Sequence, residues 1–170
     1  MIVPAEKKDI TALLHIAQAC RKHMEAQHIY QWTPRYPARH HFENDLADKG
    51  LFCLKDNERI IGCVALSTKM DKVYGTVQWR TPTSRHLYVH RLAVHPHFQG
   101  QGNARKLMDF AENKARMDQA VSVRLDTFGG NKRNQRFYEL RGYQKLGKVY
   151  FPQQSAQPFH CYELILAPSL

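Results

Sequence analysis

The sequence predicts a single α/β domain over residues 1–170, built as a mixed sheet flanked by helices, on three observations. Two strand-like runs, "HLYVHRLAV" and "VSVRLDTF", bracket a segment whose apolar positions Leu107, Met108, Ala111 and Ala115 fall on one helical face. A strand–helix–strand unit of this kind sets its two strands parallel. Upstream, "LFCLK" and "RIIGCVALS" flank the turn "DNE" and read as an antiparallel hairpin rich in strand-forming residues. Finally, 170 residues, 43% of them hydrophobic, are enough for one core and too few for two.

The remaining elements follow in order. "MIV" is expected as an edge strand, and Ile10, Leu13, Leu14, Ala17 and Met24 recur at helical spacing behind it. "QWTPRYPARHH", with two prolines and two aromatics, is a loop, and "FENDLADKG" a short helix capped by Gly50. Residues 69 to 85 form a polar connection in which only "VYGTVQW" has strand character. A helix from about Asn131 to Leu140 stops at Gly142, and the strands "YQKLGKVYF" and "FHCYELIL" follow, joined by "PQQSAQP".

Composition narrows the function classes. The start "MIVPAEKKDI" carries charge and a proline where a signal peptide needs an apolar stretch, and no segment approaches the roughly 18 apolar residues of a membrane span. A cytoplasmic protein with no membrane partner is expected. Cys20, Cys53, Cys63 and Cys161 are scattered without metal-type spacing, and His86 and His90, four apart in a strand, would stand about 13 Å from each other, so no metal is expected. The net charge of +10 invites a polyanion, yet it is spread along the chain. A phosphorylated cofactor or a solvated basic surface accounts for it as well as nucleic acid does, and no nucleic-acid reading motif accompanies it.

The segment "HRLAVHPHFQGQGNARKLMDF" carries the chemistry. Pro96 cannot extend a ladder and biases His95 away from helical geometry, so the strand ends at Val94. Gly100 and Gly102 then remove side chains where a new helix presents unpaired N–H groups and its positive end. Those are the ingredients of a phosphate cradle. Arg105 and Lys106 in the first turn, where the helix dipole alone favours acids, fit a bound anion. A Rossmann dinucleotide site is disfavoured, because its third glycine would have to stand at Arg105.

The run Gln99-Gly100-Gln101-Gly102-Asn103-Ala104 after "RLAV" resembles the acetyl-CoA signature Gln/Arg-x-x-Gly-x-Gly/Ala of the GCN5-related N-acetyltransferases. "NKRNQRFYELRGY" resembles that family's second block, an asparagine opening a helix, an aromatic–tyrosine pair and a Gly-Tyr. Ala104 replaces the commoner glycine, and Asn134 stands where a small residue is usual. The resemblance covers almost the whole chain and implies acetyl-CoA as co-substrate, held where two parallel strands splay apart. It implies pantetheine pairing along Leu92, Ala93 and Val94, with the Leu92 amide facing the thioester carbonyl. It places the pyrophosphate on the backbone from Gln99 to Arg105. It further implies contacts from Asn131, Arg133 and Phe137, with Tyr138 donating a proton to the leaving thiolate.

Asn131 and Tyr138, seven residues apart, share a helical face at a separation of about 10 Å. An alkylammonium of pKa about 10 must lose a proton before it attacks, so a base is needed. Asp126, five residues before Asn131 where some family members keep a carboxylate, is the first candidate and His90 the second, and a water chain is the third option. Alternatively Asp126 pairs with Arg124 or Arg91, or caps a turn. Trp32, Tyr36 and Trp79 are candidate walls of an acceptor pocket, or core plugs. The expected partner is a small-molecule or peptide amine; a homodimer stays open. A non-catalytic acyl-CoA-binding module and a nucleic-acid-binding domain are the rival readings.

Overall fold

In the computed structural model, which describes residues 1–81 and 85–167, seven strands hydrogen-bond in the order β1-β2-β3-β4-β5-β7-β6. They are β1 (Ile2–Pro4), β2 (Leu51–Asp56), β3 (Arg59–Ser67), β4 (His86–Val94), β5 (Ser122–Phe128), β6 (Gln144–Val149) and β7 (Phe159–Ile165). The helices are α1 (Ile10–Glu25), α2 (Arg39–Ala47), α3 (Asn103–Met117) and α4 (Lys132–Leu140). β4 pairs β5 in parallel, as the intervening helix requires, and the register runs from His86↔Ser122 to Tyr88↔Arg124. β4 itself continues to Val94 and β5 to Phe128. The α/β class and mixed sheet expected from the sequence are therefore present.

The contacts divide the chain into two units, Met1–Ser67 with Val89–Ala111, and Thr68–Tyr88 with Glu112–Leu170. In the first, α1 buries Ile10, Leu13, Ile16, Ala17 and Cys20 against Trp32, Phe42, Leu51, Cys53, Cys63, Ala65 and Ala93. Helix α2 starts three residues earlier than "FENDLADKG" suggests. Its entry lacks a hydroxyl or acid cap, and His41 Nδ1 instead accepts from the Ala38 N–H at 2.9 Å. At its end the left-handed residue is Lys49 (φ 57°), not Gly50. Gly50 is needed for another reason, since a Cβ there would lie 2.0 Å from the Leu66 carbonyl oxygen.

In the second unit β5 is paired along its whole length by antiparallel β7, and β6 forms the outer strand. The stretch "VYGTVQW" forms no strand. Residues Lys72–Thr76 make a 3-10 turn, because the Asp71 side chain accepts the Val73 N–H (3.2 Å) and the Tyr74 ring is buried. Residues 82–84 of that connection lie outside the described residues. Arg124 and Glu163, each 1% exposed, form an ion pair at 2.8 Å. Glu163 is completed by Ser122 Oγ at 2.9 Å, Thr81 Oγ1 at 2.7 Å and the Arg80 N–H at 2.8 Å. Such saturation is what a buried charge pair needs to be tolerated.

All four cysteines are buried, unbridged thiols. Burial pushes Cys20 and Cys53 up to about 12 and Cys63 and Cys161 higher still. Among the described residues no helix is long and apolar enough to cross a membrane, and no cluster of His, Cys, Asp or Glu is suited to a metal ion.

Candidate active site

In the first unit the chain leaves β4 through Pro96–Phe98, a single 3-10 turn, and enters α3 at Asn103. Three side chains staple this turn to itself. Gln99 Nε2 donates to the Val94 carbonyl (2.9 Å), Gln101 Nε2 to that of His97 (3.1 Å), and Asn103 Nδ2 to that of Phe98 (2.8 Å). The side chains thus satisfy carbonyls, while the backbone N–H groups of residues 100 to 105 find no acceptor among the described residues. Gly100 (φ 74°) and Gly102 (φ 80°) take left-handed conformations that glycine adopts without strain. Nothing lies within 4 Å of where a Cβ would stand on either, so the space beside the turn is open. Arg105 is exposed, and Lys106 Nζ lies 3.4 Å from Asn103 Oδ1. An open row of donors at the positive end of a 15-residue helix is an arrangement that can hold an anion.

On β4, Ala93 and Val94 are buried, and Leu92 and His90 half-buried. The Val94 carbonyl also accepts from Cys20 Sγ at 3.1 Å. Arg91 lies between His90 and Leu92 with φ 49°, a left-handed residue inside a strand and hence a local bend. Its guanidinium holds it there. Nε donates to Asp45 Oδ2 at 2.5 Å, Nη2 donates to Asp45 Oδ1, and Nη1 reaches the Tyr36 hydroxyl at 3.1 Å. Burial works against the Arg91 charge, but Asp45 and Tyr36 outweigh it and raise its pKa above the ordinary arginine value. Sequence reasoning weighed Arg91 only as a partner of Asp126 and missed Asp45, since nothing local ties a helix residue to a strand residue so far along the chain. Tyr36 is half-buried on Arg91, and Trp32 is buried in the core cluster.

In the second unit Asp126 is half-buried on β5 and its Oδ2 accepts a hydrogen bond from the Tyr74 hydroxyl. The two arginines weighed as its partners are bound elsewhere, Arg124 to Glu163 and Arg91 to Asp45. Tyr74 was not foreseen, because the 3-10 turn that buries it carries no periodic signal. Trp79 supports it, donating Nε1 to the Tyr74 carbonyl at 3.0 Å, and is itself stacked under Arg124 at 4.3 Å.

Asn131 caps α4, its Oδ1 accepting the Asn134 N–H at 3.1 Å, and is buried. Arg133 is exposed on the first turn. Tyr138, two turns on, is buried against Phe137, Tyr143 and Tyr162, with ring centroids 5.2, 5.8 and 6.1 Å away. Burial and then the Asp126 charge raise its pKa, so the phenol stays protonated and can donate.

Comparisons with known proteins agree with these features. Residues 13–143 match the model of the acetyltransferase (GNAT) family. The chain is 26% identical over 117 residues to the uncharacterized N-acetyltransferase YesJ of Bacillus subtilis (strain 168), a match covering 68% of this chain and 62% of that protein. An acetyltransferase of the GNAT family from Streptococcus agalactiae 2603 superposes with a TM-score of 0.84 at 21% identity, over 98% of this chain and 95% of that one. The ribosomal-protein-S18-alanine N-acetyltransferase of Escherichia coli superposes with a TM-score of 0.73 at 16% identity, over 99% and 95%. With its stapled glycine turn, its parallel strand pair and its sequence match all pointing one way, this chain belongs to the GNAT acetyltransferase family.

Proposed function

We propose that the chain is an acetyl-CoA-dependent N-acetyltransferase, acting on a primary amine of a small molecule or a peptide N-terminus by direct attack. The observation that carries this reading is the open row of N–H donors at residues 100 to 105, shaped by two left-handed glycines, in a member of this family. Gln99, Gly100, Gln101, Gly102, Asn103, Ala104 and Arg105 would hold the pyrophosphate, the side-chain amides of Gln99, Gln101 and Asn103 acting as internal staples of the turn. Leu92, Ala93 and Val94 would pair the pantetheine, and Asn131, Arg133 and Phe137 would complete the cofactor contacts. When bound, acetyl-CoA supplies an activated thioester; the protein supplies orientation, hydrogen bonds and proton transfer.

Asp126 takes the proton from the acceptor ammonium, with His90 or a water chain as the alternative route. As the N–C bond forms, the Leu92 N–H donates to the carbonyl oxygen on which negative charge develops. As the C–S bond breaks, Tyr138 gives its proton to the leaving thiolate. The nitrogen gives up a second proton as the amide forms, which restores Tyr138 through solvent, so the protein ends one proton richer at the base, and exchange with solvent releases that proton. Tyr36 and Trp79, half-buried, and Trp32, buried in the core cluster of the first unit, are the aromatic residues proposed for the acceptor pocket. The name of the Escherichia coli neighbour keeps a peptide α-amine among the acceptors. No metal takes part in the proposed reaction, and the four unbridged thiols support a cytoplasmic setting.

The test is calorimetric titration of acetyl-CoA, with CoA and a short DNA duplex as comparators, followed by an amine screen for CoA release. Saturable acetyl-CoA binding with amine-dependent release is the expected result. Binding without release under any amine would make the chain an acyl-CoA-binding module. Salt-sensitive DNA binding with no acetyl-CoA heat would leave the glycine turn a turn and nothing more.

A further inference from the structure

We propose that Tyr74 is a positioning residue for the base: its hydroxyl orients the Asp126 carboxylate and sets the pH at which that carboxylate takes up a proton. The inference rests on the reading of Asp126 as base. Tyr74 is fully buried, and its O–H donates to Asp126 Oδ2 across 52 residues of chain.

The phenol is held in place from several sides. Its ring packs against Trp79 and Tyr88, with centroids 5.3 and 5.9 Å away. Its N–H donates to the Asp71 carbonyl at 3.0 Å, and its carbonyl accepts from Trp79 Nε1 at 3.0 Å and the Val77 N–H at 3.1 Å. Trp79 is stacked on Arg124, and Arg124 is fixed by Glu163. Trp79, Arg124 and Glu163 thereby support one hydroxyl, and that hydroxyl supports one carboxylate oxygen. A phenol fixed in this way cannot follow the carboxylate if it rotates, so it selects one carboxylate orientation.

The same bond has a chemical effect. A donor to the charged form of an acid stabilises that form. Burial, followed by the Asp126 charge, raises the Tyr74 pKa well above the ordinary tyrosine value, so Tyr74 keeps its own proton while Asp126 is ionised. In the proposed step the proton moves from the acceptor nitrogen to Asp126, and Tyr74 neither gains nor loses one. Two phenols and the Cys161 thiol on the paired strand β7 feel the Asp126 charge, and Asp71 acts on Tyr74 and Cys161 as well. Burial keeps Cys161 protonated, Tyr74 holds the base, and Tyr138 is left to donate to the thiolate.

The experiment needs no acceptor. The full chain is labelled with 13Cγ-aspartate, the Asp126 resonance is assigned by its loss in Asp126→Asn, and its titration is followed in the wild type and in Tyr74→Phe. The midpoint is expected to rise by about one to two pH units without the hydroxyl, the range set by a hydrogen bond to a charged group. Should Tyr74→Phe fail to fold, 3-fluorotyrosine installed at position 74, a more acidic donor of nearly the same shape, is expected to lower the midpoint instead. An Asp126 midpoint unmoved by either change overturns the proposal. Once the amine screen has found a competent acceptor, Asp126→Asn should remove the acidic limb of the kcat/KM profile. An intact limb there overturns Asp126 as base, and the placement of Tyr74 as its support with it, even where the titration shows the two side chains coupled.

Discussion

The Gln99 carboxamide is hydrogen-bonded to the Val94 carbonyl at 2.9 Å, so the first side chain of the glycine motif closes the turn and does not point its donors outward. The anion is left to the backbone. Gln99→Ala should therefore loosen the cradle without deleting a ligand, weakening acetyl-CoA about five- to tenfold, the worth of about 1 kcal/mol for one hydrogen bond. Calorimetry checks this, and an unchanged dissociation constant would show that the turn holds without its staple.

Gly102→Val acts on the cradle directly. At φ 80° a β-branched residue is strained, and its side chain would project into the open space that the donors face. Loss of measurable acetyl-CoA binding is expected, with the melting transition retained. Normal affinity would remove the pyrophosphate from this turn.

Asp45→Ala should destabilise the fold by about 3 kcal/mol, because it strands a mostly buried guanidinium that cannot lose its proton. Urea unfolding measures the loss. A value within about 0.5 kcal/mol of wild type would mean that Arg91 turns out to solvent when released.

Tyr138→Phe should lower turnover by about two orders of magnitude or more, the scale of general acid catalysis, and leave acetyl-CoA affinity within about threefold. Separate measurement of kcat and of the dissociation constant distinguishes this from a packing defect. Unchanged turnover with a competent amine would take Tyr138 out of the chemistry.

Stability should depend on pH in two windows. Burial lowers the His86 pKa, and the neighbouring Arg124 charge adds to it; the His86 Nε2 is buried with no partner among the described residues. The unfolded histidine, near 6.5, binds its proton first, so stability declines as pH falls below about 6.5. Burial raises Glu163, but Thr81, Arg124, Ser122 and the Arg80 N–H outweigh it and hold the carboxyl below its ordinary value. Its stabilisation is present above about 4.3, the unfolded value, and is lost as pH falls through the lower folded one. Urea midpoints from pH 8 to 3 should show both declines, and Glu163→Gln should lower the midpoint at pH 7 and flatten the second.

Legibility in the sequence followed the range of the interactions. The turn from Val94 to α3 and the stop at Gly142 (φ 95°) were readable, because proline and glycine act on their own neighbours. The β4–α3–β5 unit was readable from two periodicities in one window. The start of α2 was not, since an imidazole does the capping, nor was Gly50's role, which depends on the approach of Leu66 from another strand. Tyr74 and Asp45, the hydrogen-bond partners of Asp126 and Arg91, lie 52 and 46 residues away from them, beyond any local pattern, and so the sequence reading named neither.

The four enclosed thiols bear on how the reaction can be followed. Each is a poor nucleophile at neutral pH, because burial keeps it from ionising. A disulfide chromogen such as dithiodipyridine, present throughout the reaction, would then consume the thiol of released coenzyme and spare the protein. The colour would count turnovers continuously, with no correction for the enzyme's own sulfur, for as long as the fold stays intact.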